Sequence, residues 1–414
     1  MPSPAPLTGI RVLEIGSYIA GPFCGMQLAD LGADVIKIEV PDSGDLVRHT
    51  APYLFPNGSK DVLGAPSADG QSSNFIRLNR NKRSLALDLK DSQGKEIFRK
   101  LAATADVVVE NLRPGTMKDL DLDYEQLERL NPMLVYVAAS GWGQTGPYSQ
   151  LAGLDIMAQA MSGVMSITGE PDGNPVKAGV PMCDLVCALY GALAAVSALR
   201  ARVRDGHGQY IDVCLFEAGV SLSVWEAGRY FATGEVPGRL GSAHQSSAPY
   251  QAIRSSDGYF TIGATSPRNW ASFCQVIGRE EWIDDPQYKD NPSRHARLGT
   301  LIPAIEEVTS TRPMDHWIAA LQESGVPCGK IQTYDKVFND EHLLARGYFW
   351  DAPHKTLPEP VRQLGSPMHF SETPVEQREA GPVLGEDSRD VLSELGFSEA
   401  EIASLAERKV TVVA

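Results

Sequence analysis

Over its first 140 residues the chain alternates short apolar runs with segments of helical period, and this alternation limits the folds open to it. Ile10–Ile15 reads as a strand ending at Gly16, and Pro22–Leu31 as a helix closed by Gly32. Ala33–Glu39 is a second strand and Ser84–Leu89 a third, followed by a helix that Ser92 can cap and that runs through Leu101. Asp106–Asn111 has the apolar centre and polar ends of a buried strand; Tyr124–Leu130 is helical and Leu134–Ala139 is another strand. This β-α order predicts an α/β fold, a Rossmann-like parallel sheet with helices on both faces. Such sheets bind ligands beyond the carboxyl ends of their strands, which directs attention to the loops after Ile15, Glu39, Glu110 and Ala139.

A chain of 414 residues exceeds one typical domain. A large domain is expected over residues 1–220, completed by 331–414. A smaller α+β domain is expected over 225–330, with a strand at Gly258–Gly263 and a helix at Met314–Glu323. Ala51–Ser73, rich in Gly, Pro and Ser, is predicted to be a loop over the active site. A net charge of −15 argues against nucleic acid and against anionic membrane surfaces as partners. No uninterrupted apolar run reaches the roughly 18 residues of a membrane span, and Met1–Leu7 lacks the basic and apolar regions of a signal peptide. Of the six cysteines, Cys183 and Cys187 stand four apart with no second pair to match. They fit neither a disulfide frame nor a zinc site, so no metal is expected, and the thiols suit a reducing, cytoplasmic setting.

Three motifs carry chemistry. Ala178–Asp184, a turn rich in Gly and Pro, delivers Asp184 to the start of the apolar run Leu185–Leu193. Asp184 is then either an N-cap, its oxygen accepting first-turn amides, or a carboxylate nucleophile kept ionised by the same amides. Gly141-Trp142-Gly143-Gln144-Thr145-Gly146 matches GxGxxG, but Pro147 and Tyr148 follow where a dinucleotide site needs a helix. Its glycines instead allow a tight turn or close approach of backbone to a ligand. Arg77, Arg80, Lys82 and Arg83, interleaved with Asn79 and Asn81, form a basic cluster. It is either a solvated loop or a phosphate clamp. No GxxxxGK[ST] accompanies it.

Taken together, the motifs resemble the class III CoA-transferases, the formyl-CoA transferase and carnitine CoA-transferase family. The resemblance rests on Ala20-Gly21-Pro22, Leu31–Glu39, Ser43–Arg48, Asn81–Asp88, Glu110–Gly115, Gly141–Tyr148 and Gly206–Val213. It continues through Gly325-Val326-Pro327 and Gly381–Gly385. It implies that Asp184 is the nucleophile of a relay through an aspartyl anhydride and an aspartyl-CoA thioester. CoA enters as a thioester substrate and no prosthetic group is needed. The CoA contacts it implies fall on Ser17, Tyr18, Ile19, Ala20, Leu78, Asn79, Lys82, Asn111 and Leu112, with Arg83, next to Lys82, and Lys118 as further basic contacts. Where the family often has a basic residue after the second strand, this chain has Val40-Pro41. Interlocked, ring-shaped subunits forming a homodimer are also implied.

Two other readings compete. Related 2-methylacyl-CoA racemases use the His of a Gly-His-Asp motif, where this chain has Gly153-Leu154-Asp155; leucine cannot move a proton. A non-catalytic CoA-binding protein would keep the clamp without needing Asp184. Within the transferases, Leu154–Gly163, Arg239–His244 and Pro249-Tyr250-Gln251 are most similar to the succinate–hydroxymethylglutarate CoA-transferases. This implies succinyl-CoA as donor, a dicarboxylic acid as acceptor, and substrate contacts from Gln144, Arg239 and His244.

Overall fold

The computed structural model describes residues 4–64 and 69–414. A seven-stranded sheet forms its largest element, with strands β1 Arg11–Ile15, β2 Asp34–Glu39, β3 Lys82–Leu87, β4 Val107–Glu110, β5 Val135–Ser140 and β6 Gln209–Cys214. Thr411–Val412, the last strand in the chain (β10), pairs antiparallel with β3 at the edge. The spatial order is β10-β3-β2-β1-β4-β5-β6, and the first six strands are mutually parallel. The chain builds outward from β1 to one side, then returns and builds from β4 to the other. The strand order therefore reverses between β1 and β4, and the crevice beyond their carboxyl ends is where a sheet of this kind takes its ligand.

Alternation along each strand sorts side chains to two cores. Leu13, Ile36, Leu85, Val108 and Tyr136 face one layer, with helices α2 (Ser92–Ala102) and α3 (Tyr124–Leu130). Val12, Val35, Val107, Val109 and Val137 face the other, covered by α1 (Ala20–Asp30) and a 24-residue helix, α5 (Met182–Asp205); α4 (Asp155–Met161) packs against α5 in a separate cluster through Ala158. Helix α5 brings the small stripe Ala188, Ala192 and Ala195 to this core. It approaches α1 so closely that a Cβ on Gly191 would lie 3.3 Å from Cys24 Sγ. It is also long and apolar enough to cross a membrane, with a mean hydropathy of 1.9 over its most apolar window; the sequence shows no uninterrupted run of that length because Asp184 and Arg200 bound it.

Two local expectations change. Helix α2 is capped by Asp91, which accepts from the Gln93 amide, rather than by Ser92. The 51–73 segment is not all loop: Tyr53–Leu54, Lys60–Asp61 and Gln71–Ser72 form a small antiparallel sheet, while residues 65–68 lie outside the described residues. All six cysteines are free thiols, and every one but Cys328 is buried.

The chain divides into two compact units: one runs to Val164 and adds Ala178–Val224 and Leu344–Ala414, and the other comprises Met165–Lys177 and Trp225–Leu343. The second unit holds the antiparallel strands β7 Tyr250–Arg254, β8 Tyr259–Gly263 and β9 Cys328–Lys330. Its core is built on Phe260, Trp270, Phe273, Leu301 and Trp317.

Candidate active site

At the reversal point, β1 ends at Ile15 and the chain turns through Gly16–Ile19 into α1. Asn111, just past β4, clamps this turn. Its Oδ1 accepts from the Ser17 amide at 2.9 Å and its Nδ2 donates to the Ser17 carbonyl at 2.8 Å. The fit excludes larger neighbours: a Cβ on Gly16 or Gly21 would meet Asn111 Oδ1 at 2.6 or 2.8 Å. Tyr18, at φ 64°, occupies the left-handed region and projects its ring outward, 52% exposed. A non-glycine residue there costs about 1–2 kcal/mol unless its surroundings hold it.

Asp184 lies in the first turn of α5. An apolar cluster sets this helix end beside the turn: Ala20, Ala139, Ala158, Cys183, Cys187, Leu215 and Ala218 pack together. The N-cap position belongs to Pro181, so Asp184 is not the cap. The amides are taken instead by Asp155, the first residue of α4, whose Oδ1 accepts from Cys183 N at 2.9 Å and Asp184 N at 3.3 Å. Asp155 Oδ2 accepts from Gln159 Nε2 at 2.6 Å, and the fully buried Gln159 takes the Ala178 amide on its Oε1 at 2.8 Å. Asp155 and Gln159 thus staple the 178–184 turn. The Asp184 carboxylate accepts no hydrogen bond among the described residues. Its amide is spent on Asp155 rather than on stabilising its own charge. Burial, and then the negative charge of Asp155, push its carboxyl up to about 7. The sequence-based expectation of a carboxylate held ionised by helix amides is corrected here: those amides serve the neighbouring acid.

The Gly-rich segment forms a turn beyond β5. Gly143 and Gly146 have φ of 92° and 87°, Gly143 N donates to Ser140 Oγ at 2.9 Å, and Gln144 N donates to Asp212 Oδ2 at 2.9 Å. Gln144 Nε2 and Trp142 Nε1 are buried without a hydrogen-bond partner. A cleft of about 630 Å³ opens at the ends of β4 and β5, lined by Asn111, Leu112, Ser140, Trp142, Leu154 and Met157 among others. Glu110, the last residue of β4 and next to the cleft residue Asn111, is buried and accepts from the Leu112 amide at 2.8 Å. Burial, the leading cause, and the Asp212 charge raise its carboxyl to about 8 against the pull of that amide.

The basic cluster turns inward. Lys82 is fully buried, its Nζ 2.7 Å from each of Pro22 O, Asn79 Oδ1 and Glu14 Oε2. Asn79 is equally buried, Arg80 pairs with Asp30, and Arg83 pairs with Asp34 and Glu394. As placed, Lys82, Asn79 and Arg80 present no group to an outside phosphate. Leu78 is half-buried; Lys118 is exposed and forms no ion pair among the described residues.

A model of CoA-transferase family III matches residues 7–388. The chain belongs to CoA-transferase family III. It is 37% identical to the succinate–glutarate CoA-transferase of Agrobacterium fabrum, over 94% of this chain and 96% of that one. It is 35% identical to the mouse succinyl-CoA:glutarate CoA-transferase, over 97% of this chain and 89% of that one. Among solved structures it resembles a CAIB/BAIF family protein from Brucella suis, with a TM-score of 0.83, 37% identity, and coverage of 95% of this chain and all of that one.

For a family III CoA-transferase the structure brings Asp184, Ala20 and the turn held by Asn111 to one end of the sheet. The remaining two expected substrate residues lie in the second unit. Arg239 donates from Nε to Glu170 O at 3.2 Å and from an Nη to Gly173 O at 2.7 Å, bracing the 170–173 turn. His244 stacks edge-on against Tyr250 and Trp225, and its Nδ1 accepts from the Ser246 amide at 3.1 Å, leaving Nε2 as the protonated nitrogen. Asp155 and Gln159 were missed as site residues. The available signal was their i, i+4 spacing, which sets two polar side chains on one helix face just upstream of the Asp184 turn.

Proposed function

We propose that the enzyme moves CoA from succinyl-CoA to a dicarboxylic acid such as glutarate, with Asp184 as covalent relay. The observation that carries this is the half-buried, unpartnered Asp184 carboxylate at a helix start beside the Ser17–Ala20 turn. The succinyl-CoA:glutarate and succinate–glutarate names of its relatives support the substrates. Asp184 attacks the thioester carbonyl and expels CoA thiolate, leaving a mixed anhydride. The thiolate attacks the aspartyl carbonyl, releasing succinate and forming an aspartyl-CoA thioester. The acceptor carboxylate then attacks that thioester to give a second anhydride and free thiolate. Attack of the thiolate on the acceptor's carbonyl yields the new acyl-CoA and regenerates Asp184. Each step exchanges one acyl bond for another, so no hard step is taken in a single move.

CoA is held, in this reading, by the Ser17–Ala20 turn, by Asn111 and Leu112 at the cleft, and by Lys118 beside it; Arg83, ion-paired to Asp34 and Glu394 toward the amino ends of the strands, is not among these contacts. Gln144, whose Nε2 is unpartnered, contacts the acid; for Arg239 and His244 the role is the one the family resemblance implies. Incubating the enzyme with succinyl-CoA and a panel of monocarboxylic and dicarboxylic acids, with acyl-CoA masses as readout, is expected to show glutarate and its near homologues used at least tenfold better than butyrate. Equal use of butyrate and glutarate contradicts the dicarboxylate assignment.

The enzyme acts as an interlocked homodimer. Leu189, Tyr190 and Leu193 stand 44–62% exposed on the outer face of α5, and Trp225 and Phe231 are still more exposed or comparable at 62% and 83%. Contiguous exposed apolar surface marks interaction sites, and the outer face of α5 offers it. Two differently tagged, folded dimers mixed under native conditions should not exchange subunits over hours, because separation requires unfolding a ring. Mixed dimers within that time, or a monomer at micromolar concentration, refute the arrangement.

A further inference from the structure

We propose that Asp45 is a positioning residue of the CoA-transfer site, holding the Ser17–Tyr18 turn in the conformation that meets CoA. This rests on the reading above that the turn is a CoA contact. Asp45 follows β2 and is 3% exposed. Its Oδ1 accepts three hydrogen bonds: from Ser17 Oγ at 2.7 Å, from Tyr18 N at 3.2 Å and from Val47 N at 2.9 Å. Only the last belongs to local capping of the short 3₁₀ helix Leu46–His49. The other two reach across the reversal point to the turn. Ser17 Oγ, having given its proton to Asp45, accepts from Leu46 N at 3.1 Å, so the link runs both ways.

The second oxygen fixes Asp45 itself. Asp45 Oδ2 lies 2.9 Å from Lys37 Nζ, and the same ammonium donates to Gly16 O at 2.9 Å and pairs with Glu14 at 2.7 Å. Lys37, Glu14 and the Asp45 carboxylate are fully buried in their side chains. Burial alone would raise the acid; the Lys37 charge, the Val47 amide and the Ser17 hydroxyl outweigh it and hold Asp45 below the usual carboxylate range. A buried, ionised acid aimed at an exposed turn is a costly arrangement for a cap that a serine would supply. What it secures is Tyr18 at φ 64°, a conformation that relaxes without outside constraint. Asn111 grips Ser17 on one side of the turn and Asp45 grips Ser17 and Tyr18 on the other, so the segment entering α1 is set before any ligand arrives. Pre-set contacts raise affinity by sparing the ordering cost on binding.

The test uses the full-length enzyme and free CoA as probe, so it depends neither on turnover nor on which acid is carried. Asp45→Ala is expected to weaken CoA binding about tenfold by calorimetry. Amide exchange of residues 17–20 should speed up by a similar factor while β1 and β2 exchange at the wild-type rate. Asp45→Asn, which keeps an acceptor oxygen, should stay within about threefold of wild type in both. In the transfer assay the loss should fall on the KM for acyl-CoA and not on the KM for the acceptor acid. Asp45→Ala enzyme that binds CoA within twofold of wild type, or raises both KM values alike, overturns the proposal. Should Asp45→Ala not fold, Ser17→Ala cuts the same link and is read by amide exchange alone, since Ser17 is itself placed at CoA: faster exchange of residues 18–20 with β1 and β2 unchanged supports the proposal, and exchange at the wild-type rate overturns it. Wild-type enzyme that does not bind CoA overturns the functional reading instead, and unchanged exchange at residues 17–20 in the variant then overturns this one on its own.

Discussion

Asp184→Asn enzyme, assayed fresh so that deamidation does not restore the acid, is expected to transfer CoA at least about 10⁴-fold more slowly than wild type. At 1.36 kcal/mol per factor of ten this is a barrier increase of about 5.4 kcal/mol, within the range for removing a covalent nucleophile. Folding should be preserved, because the carboxylate anchors nothing: it accepts no hydrogen bond among the described residues, and the cap of α5 is made by Asp155. Wild-type enzyme treated with succinyl-CoA and then hydroxylamine or borohydride should be marked at Asp184. The pH dependence follows from the same geometry. With its carboxyl raised to about 7 by burial and Asp155, Asp184 is protonated and inert below that pH, so kcat/KM should fall as pH drops through about 7. Asp155→Asn removes the neighbouring negative charge, so the inflection should move to lower pH. An inflection that stays in place in Asp155→Asn, or an Asp184→Asn enzyme retaining more than a few percent of activity, would sink the assignment.

The parallel sheet was legible because β1, β2, β4 and β5 are buried on both faces and therefore read as apolar runs, with helices of clear period between them. Their observed bounds differ from the expected ones mainly at the ends, where fraying and capping rather than hydrophobic pattern decide the boundary. Asp184 was legible as a candidate because a Pro- and Gly-rich turn precedes a long apolar helix. Its electrostatics were not. Whether first-turn amides serve Asp184 or another acid depends on Asp155, which is 29 residues away in sequence and arrives only through tertiary packing. The basic cluster misled for the same reason. A run of Arg and Lys is equally well explained by outside phosphates or by internal acids, and the acids that claim it, Glu14, Asp30 and Asp34, sit on or beside β1, α1 and β2. Nothing in local sequence distinguishes a lysine on an edge from one on a strand beneath a helix.

Arg80→Met gives the sharpest test of that inward reading. Arg80 Nε and an Nη hold the two oxygens of Asp30 at 3.0 and 2.5 Å, and both side chains are more than nine-tenths buried. Asn81 Nδ2 adds a bond to Asp30 at 2.9 Å, and Asn81 Oδ1 accepts from Arg378 N at 2.9 Å. The Glu376 amide meets the Asp30 carbonyl at 2.7 Å. The pair therefore pins the C-terminal segment around Glu376–Glu379 to the end of α1. Removing one member of a buried pair strands the other, at a cost of about 3–5 kcal/mol, because Asp30 would keep only an amide partner for a full charge. The urea midpoint of Arg80→Met is expected to fall accordingly, with CoA affinity of the folded enzyme within twofold of wild type. Asp30→Asn should recover part of the stability lost in Arg80→Met, since it removes the stranded charge. A phosphate clamp makes the opposite pattern: CoA binding down tenfold or more, the urea midpoint unmoved, and no benefit from Asp30→Asn. Arg80 cannot satisfy both descriptions, because the donors that face Asp30 are not free to face a ligand.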